Sequence, residues 1–198
     1  MIELTKNEMH AMLKLFKDFS KKYNSNNLAK EIGLSAMGAL KILRRLHEQN
    51  LLKVEEIGKA RIYKINFENE YARQYISFLL RKEAEESTGR VKRWIDELRK
   101  LKDTATICIL AGSVLKTEKY NDVDALAVMK PQQLKKFNKR TSEMNKINIK
   151  RIHPIKQSIE DLKNNLAKKD KVILDMVKTG IVLFGYDEFV GVVAGASG

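Results

Sequence analysis

Cysteine is almost absent from this chain. Cys108 is the one thiol among 198 residues, so no disulfide can close within a single copy, and a free thiol inside a predicted strand suits a reducing cytoplasm. No apolar run reaches the roughly 20 residues of a membrane helix, and the first residues lack the apolar stretch of a secretory signal. A cytoplasmic protein without a membrane partner is therefore expected. Also missing are a Gly-rich phosphate loop, a nucleophile triad, a Cys/His zinc pattern and any internal repeat. His10 and His47 fall on predicted helices without ligand spacing.

Basic charge is what the chain has in excess. The net charge is +13, with 43% hydrophobic and 32% charged residues, which is a globular composition. The excess is uneven: residues 130–171 hold 13 Lys and Arg against 4 Asp and Glu, whereas 103–129 hold 2 against 4. An acidic patch beside a strongly basic one suits an anionic ligand, and such a field draws polyanions through counterion release. A lysine-rich solvated surface gives the same composition without any such ligand.

The N-terminal third reads as three helices and a hairpin. Thr5 with Glu8 forms a capping box ahead of a stripe through Met9, Met12, Leu13, Phe16 and Phe19. A short helix ends at Gly33, and Ser35 caps a third helix from Ala36 to about Gln49. Two alternating runs around Gly58-Lys59 then predict a β-hairpin. From Asn69 to Lys102 the pattern is helical, with Tyr71, Tyr75, Phe78 and Leu79 in one stripe and Val91, Trp94, Ile95, Leu98 and Leu101 in another. The interruption at Glu86–Gly89 is taken as the domain joint.

The second half opens on Thr104–Leu110, a β-branched apolar strand, then Gly112-Ser113, a polar loop, and a second apolar run headed by Asp122 and Asp124. Alternate residues of a strand share a face, so the two carboxylates stand side by side and repel unless a cation lies between them. A hard divalent ion that keeps phosphate and water ligands is the natural occupant. Gly112 permits close backbone approach to a phosphate, and Ser113 adds a hydroxyl. Downstream, the pattern predicts a helix from Gln132 to about Asn145, a strand Ile147–Ile155, helices from Ser158 and after Asp170, and a C-cap at Gly180. A final strand, Ile181–Gly185, precedes a Gly/Ala-rich mobile tail at 191–198. His153 on the predicted strand is read as structural in preference to a metal ligand.

Gly112-Ser113, eight residues, then Asp122-Val123-Asp124 on an apolar strand resembles the signature of the DNA polymerase beta nucleotidyltransferase superfamily, and its minimal archaeal and bacterial members in particular. That resemblance implies catalytic and Mg2+-binding roles for Asp122 and Asp124, and nucleotide binding by Gly112 and Ser113. It also implies a third carboxylate on a later strand, yet Lys146–Pro154 contains no acid. Two acids would still hold a metal ion while the base that deprotonates an acceptor is lost. Residues 3–67, in turn, resemble the winged helix-turn-helix domain. By position, Ser35, Met37, Gly38, Lys41, Arg44 and Arg45 would meet double-stranded DNA, and Lys59 and Arg61 in the wing would meet phosphate. A winged helix used purely for protein contacts stays open.

The expected architecture is α+β: a winged helix-turn-helix at 1–68, linker helices at 69–102 that serve as a homodimer element, and a nucleotidyltransferase-like α/β domain with a small mixed sheet at 103–190. The expected function is a DNA-binding transcriptional regulator whose second domain has reduced or lost catalysis. The alternative is an active Mg2+-dependent enzyme moving a nucleoside monophosphate to protein or nucleic acid, including in a toxin–antitoxin setting.

Overall fold

A computed structural model describes residues 3–197. They form an α+β fold with two sheets, and the chain folds as two compact units, one up to Leu79 and the other from Leu80 to Ala196.

The first unit begins with helix α1 (Lys6–Lys17). Its N-terminus is closed as the sequence predicts: Thr5 N–H donates to the Glu8 carboxylate at 2.7 Å and Thr5 Oγ1 accepts from Glu8 N–H at 3.3 Å. The buried face runs through Ala11, Met12, Leu15 and Phe16, while Met9, Leu13 and Phe19 are half-buried. The true stripe is therefore rotated slightly from the one the spacing suggested. Helix α2 (Ser25–Ile32) is capped by Asn24 and ends at Gly33, whose φ of 71° is left-handed. Helix α3 (Ala36–Glu48) is capped by Ser35 and buries Ala39, Leu43 and Leu46. Strands β1 (Leu52–Ile57) and β2 (Ala60–Ile65) pair antiparallel from Leu52↔Ile65 to Ile57↔Ala60. An isolated bridge adds Tyr23 to Tyr63. Lys14 and Lys21 both bond the Glu31 carboxylate at 2.7 Å, tying α1 to α2.

Helix α4 (Glu70–Glu85) runs across the division between the units. Within the first unit it buries Ala72, Ile76 and Leu79, and it carries a chain of rings: Tyr71 to Tyr75 at 6.0 Å and Tyr75 to Phe78 at 5.8 Å.

The second unit holds a four-stranded sheet of order β5-β4-β3-β6. Its strands are β3 (Ile107–Ala111), β4 (Asp122–Val128), β5 (Arg151–Gln157) and β6 (Ile181–Phe184). β3 pairs antiparallel with β4 and β6, whereas β4 and β5 run parallel. A parallel pair needs a crossover, and α6 (Leu134–Ile147) supplies it. Helices α5 (Gly89–Arg99) and α6 send Trp94, Ile95, Leu98, Phe137 and Met144 into one core with Cys108, Leu110, Val123, Ala125 and Ile152. Alternation turns Ile109, Leu126 and Val128 to the other face. There α7 (Ile159–Ala167), α8 (Lys171–Thr179) and α9 (Tyr186–Ala196) pack against β5, β3 and one another. The joint expected at Glu86–Gly89 lies inside this unit, because α5 is core and not linker. Complete burial pushes the Cys108 thiol up to about 12.

Two downstream expectations are corrected. The strand predicted to start at Ile147 starts at Arg151. Ile147 instead ends α6, where the Asn148 amide donates to Met144 O at 3.0 Å and to Glu97 at 3.0 Å, and Ile147 and Ile149 are 83% and 90% exposed. Their alternation imitates a strand. The tail expected to be mobile is helix α9 as far as Ala196, held by the burial of Phe189, Val190, Val192 and Val193; Gly198 lies outside the described residues. Gly180 ends α8 as its C-cap, as expected, in extended backbone at φ −76°. Its glycine answers a close approach, since a Cβ there would lie 2.3 Å from Met176 O and 2.6 Å from Ile109 Cγ2.

The Glu31 triad carries a pH dependence. Hydrogen bonds from Lys14 and then Lys21 lower the Glu31 carboxyl from 4.5 to about 2. Its stabilisation is therefore complete above pH 4.5 and lost as pH falls through about 2. Glu31→Gln is expected to lower the thermal midpoint at neutral pH by the equivalent of about 1 kcal/mol or less, since the group is partly solvated. Near pH 2 the variant and parent should melt together; equal midpoints at neutral pH would discount the triad.

Candidate functional site

The acid pair is built by one turn and two strand registers. β3 ends at Ala111, opposite Asp124 on β4. Gly112 then turns the chain at φ 84°, ψ −160°, into a single 3-10 turn, Ser113–Leu115. A side chain at 112 is impossible without displacement: a Cβ would sit 2.0 Å from Asp124 Oδ2 and 2.9 Å from Asp124 Cγ. The bare Cα of Gly112 thus lies against the Asp124 carboxyl. Two contacts hold the loop between them: Trp94 Nε1 donates to Tyr120 OH at 2.8 Å, and Arg90 Nε donates to Val114 O at 2.9 Å.

Along β4, Val123 and Ala125 point into the core, so Asp122 and Asp124 share the opposite face, each partly exposed. Their proximity is electrostatically visible. The Asp124 carboxyl is raised above the ordinary carboxylate range, first by burial and then by the Asp122 charge, with His153 opposing. Two such carboxylates, one of them reluctant to ionise, fit a hard cation in their donor chemistry.

The neighbouring strand completes the description. Parallel register sets Arg151 beside Asp122 and His153 beside Asp124. His153 Nδ1 lies 3.5 Å from Asp122 Oδ2. Where a third acid would stand, β5 offers a guanidinium and an imidazole. Asp161 is spoken for elsewhere: Ser158 N–H and Oγ–H donate to it at 2.9 and 2.7 Å, which lowers its carboxyl and caps α7. Among the described residues no three His, Cys, Asp or Glu groups converge as a metal cage. Any Mg2+ here would rest on Asp122 and Asp124 and take its other ligands from water and phosphate. Arg151 was missed in the sequence, and His153, weighed beside the aspartates, was set aside as structural; the β4–β5 register brings both to the acids.

In the first unit the residues named for DNA separate into two groups. Met37 is 62% exposed, and Lys41, Arg44 and Lys59 are exposed and make no ion pair among the described residues. Arg44 and Arg61 line a groove of about 390 Å³ between α3 and the hairpin, with His47, Glu48, Val54 and Tyr63. The others have internal work. Ser35 Oγ accepts from Gly38 N–H at 3.0 Å to cap α3. Arg45 pairs with the buried Glu8 carboxylate at 3.1 Å and donates to Glu3 O at 3.4 Å, fastening α3 to α1. Arg61 pairs with Glu56 at 3.0 Å, and Lys64 with Glu55 at 3.1 Å, so much of the hairpin's basic charge is balanced.

No protein-family profile, curated protein or solved structure matches this chain.

The contact between Gly112 and Asp124 is testable by a double-mutant cycle in urea. Gly112→Ala is expected to destabilise by about 2 kcal/mol or more through left-handed strain and overlap. In an Asp124→Ala background roughly 1 kcal/mol of that loss should disappear, because the carboxyl overlap is gone and only the backbone strain and the 3.0 Å contact with the Cβ of residue 124 remain. Strictly additive losses would place the carboxyl away from the turn.

Proposed function

We propose that the chain is a DNA-binding regulator. Its first unit reads duplex DNA as a winged helix-turn-helix, and its second unit is a nucleotidyltransferase-like domain with reduced or lost catalysis. The observation that carries this reading is the exposed α3 stripe of Met37, Lys41 and Arg44 beside the α3–hairpin groove. Free cations on one helix face, with an exposed apolar side chain among them, suit a groove flanked by phosphates. Arg44 stands on that stripe, whereas Arg45 is assigned to the Glu8 contact and not to DNA. The ring chain on α4 is the proposed homodimer element. Loss of catalysis is supported by Arg151 and His153 standing where the resemblance calls for an acid.

A second reading, an active Mg2+-dependent nucleotidyltransferase, has one observation of its own: the Gly112 turn pressed against Asp124, with Asp122 on the same face. Mg2+ there would clamp phosphate oxygens and offset developing charge. Gly112 and Ser113 would orient the phosphates, and His153 is placed to hold or move a proton at Asp122.

Binding to a randomised duplex pool, followed by selection and anisotropy, tests the first reading. Lys41→Ala/Arg44→Ala is expected to weaken affinity about tenfold or more and to reduce the slope of log affinity against log salt by about 2, without changing the melting midpoint. Arg45→Ala is expected instead to destabilise the fold by about 1–3 kcal/mol, since it leaves Glu8 buried and under-bonded. Unaltered DNA affinity in the Lys41/Arg44 variant would withdraw the α3 assignment.

Label transfer from each nucleoside triphosphate with Mg2+ decides between the readings. The regulator reading expects none above background with protein or nucleic-acid acceptors. Transfer that disappears in Asp122→Ala/Asp124→Ala, while DNA binding persists, would establish the enzyme.

A further inference from the structure

The second unit carries a basic cleft between α6 and β5 that shares Arg151 with the acid site. Along α6, Asn138, Thr141, Ser142 and Lys146 follow helical spacing on one wall; Arg151 and Lys156 of β5 stand on the other, and the cleft encloses about 440 Å³. Residues 130–157 hold 9 Lys and Arg against Glu143 alone. Of the wall cations, Lys146 and Arg151 make no ion pair among the described residues, and Lys156 Nζ is held at 3.1 Å by Asn138 Oδ1. Thr141 is 7% exposed, lines the cleft, and its Oγ1 has no hydrogen-bond partner. A buried hydroxyl left unbonded is costly, so a ligand oxygen reaching it would be favoured.

We infer that this α6–β5 cleft is a second nucleic-acid surface, binding the phosphodiester backbone. Three properties identify the ligand. Its walls are cationic and hydroxylic, which suits phosphate oxygens. Among the described residues no aromatic ring lines it, so bases have no stacking platform and contact is through the backbone, without sequence preference. Asn138 to Lys146 spans about 12 Å of helix, the rise of roughly three to four nucleotides at about 3.4 Å each, so the cleft matches a polymer better than a single phosphate. The inference rests on the reading that the chain binds nucleic acid, but it assigns the second unit its own share. Two tethered weak sites then reinforce one another through effective concentration.

The test compares full-length proteins binding a fluorescein-labelled mixed-sequence duplex by anisotropy across a salt series. Lys146→Glu/Lys156→Glu is expected to lower affinity about tenfold or more and to shallow the salt slope by about 2. Lys146→Gln/Lys156→Gln should shift both in the same direction by less, which covers any misfolding of the charge-reversal form. Thr141→Val should weaken binding a few-fold at unchanged salt slope, since it removes a hydroxyl and no charge. If the cleft variants bind like the parent while Lys41→Ala/Arg44→Ala fails, the inference falls and the α3 reading stands. If the parent itself does not bind, both fall. Binding to anionic phospholipid vesicles that the cleft variants lose, with DNA affinity intact, also overturns it.

Discussion

The close approach of Gly112 to the Asp124 carboxyl is the constraint on which the second unit's chemistry depends. A Cβ at position 112 would overlap Asp124 Oδ2, so the turn after β3 and the first residues of β4 are fixed relative to each other. The register Ala111↔Asp124 sets that distance. Strand alternation then gives Asp122 and Asp124 a shared face, burial and the Asp122 charge raise the proton affinity of Asp124, and the β4–β5 register sets His153 beside it. Preorganised acids of this kind are uphill in isolation, and proteins hold them where a ligand offsets the repulsion. Trp94 and Tyr120 serve the same geometry from below by anchoring the loop between the turn and the acids.

Charge in this chain is arranged in two registers of use. Some cations complete the fold: Lys14 and Lys21 on Glu31, Arg45 on Glu8, Arg99 on Glu85, and Lys136 on Asp103. Others, including Lys41, Arg44, Lys59 and Lys146, project without an acidic partner among the described residues. A tally of basic residues cannot distinguish the two classes, because a paired and a free lysine count alike among the 38 Lys and Arg. Unpaired cations release counterions from a polyanion most readily, since a paired one must first give up its carboxylate. The 38 Lys and Arg therefore overstate the charge free for a ligand, and the hairpin, where Glu55 and Glu56 answer Lys64 and Arg61, is the clearest case.

Local signals were legible in the sequence and non-local ones were not. The Thr5–Glu8 box, the Ser35 cap, the Gly58 hairpin and the separate strands β3 and β4 follow from residues within a few positions of each other. Ile147 and Ile149 misled because alternation over so short a run costs nothing in a loop, while an asparagine amide ended the helix there. The Gly/Ala-rich end looked mobile by composition; its valines and Phe189 nonetheless supply enough burial to hold a helix. At the site, the two acids were visible because they are neighbours in sequence. Arg151 was not, and His153 could be weighed but not placed, since a parallel pairing separated by a whole helix decides which residues stand beside them. The Arg45–Glu8 contact is likewise a product of helix packing.

The depth of Cys108 has a practical corollary. Its sulfur is wholly enclosed in the strand that leads to Gly112, with its ionisation pushed to about 12, so alkylating reagents and mild oxidants find no thiolate while the sheet is closed. The speed of thiol modification therefore clocks how often β3 separates from its neighbours, and a cysteine engineered on the surface would take a dye or spin label alone.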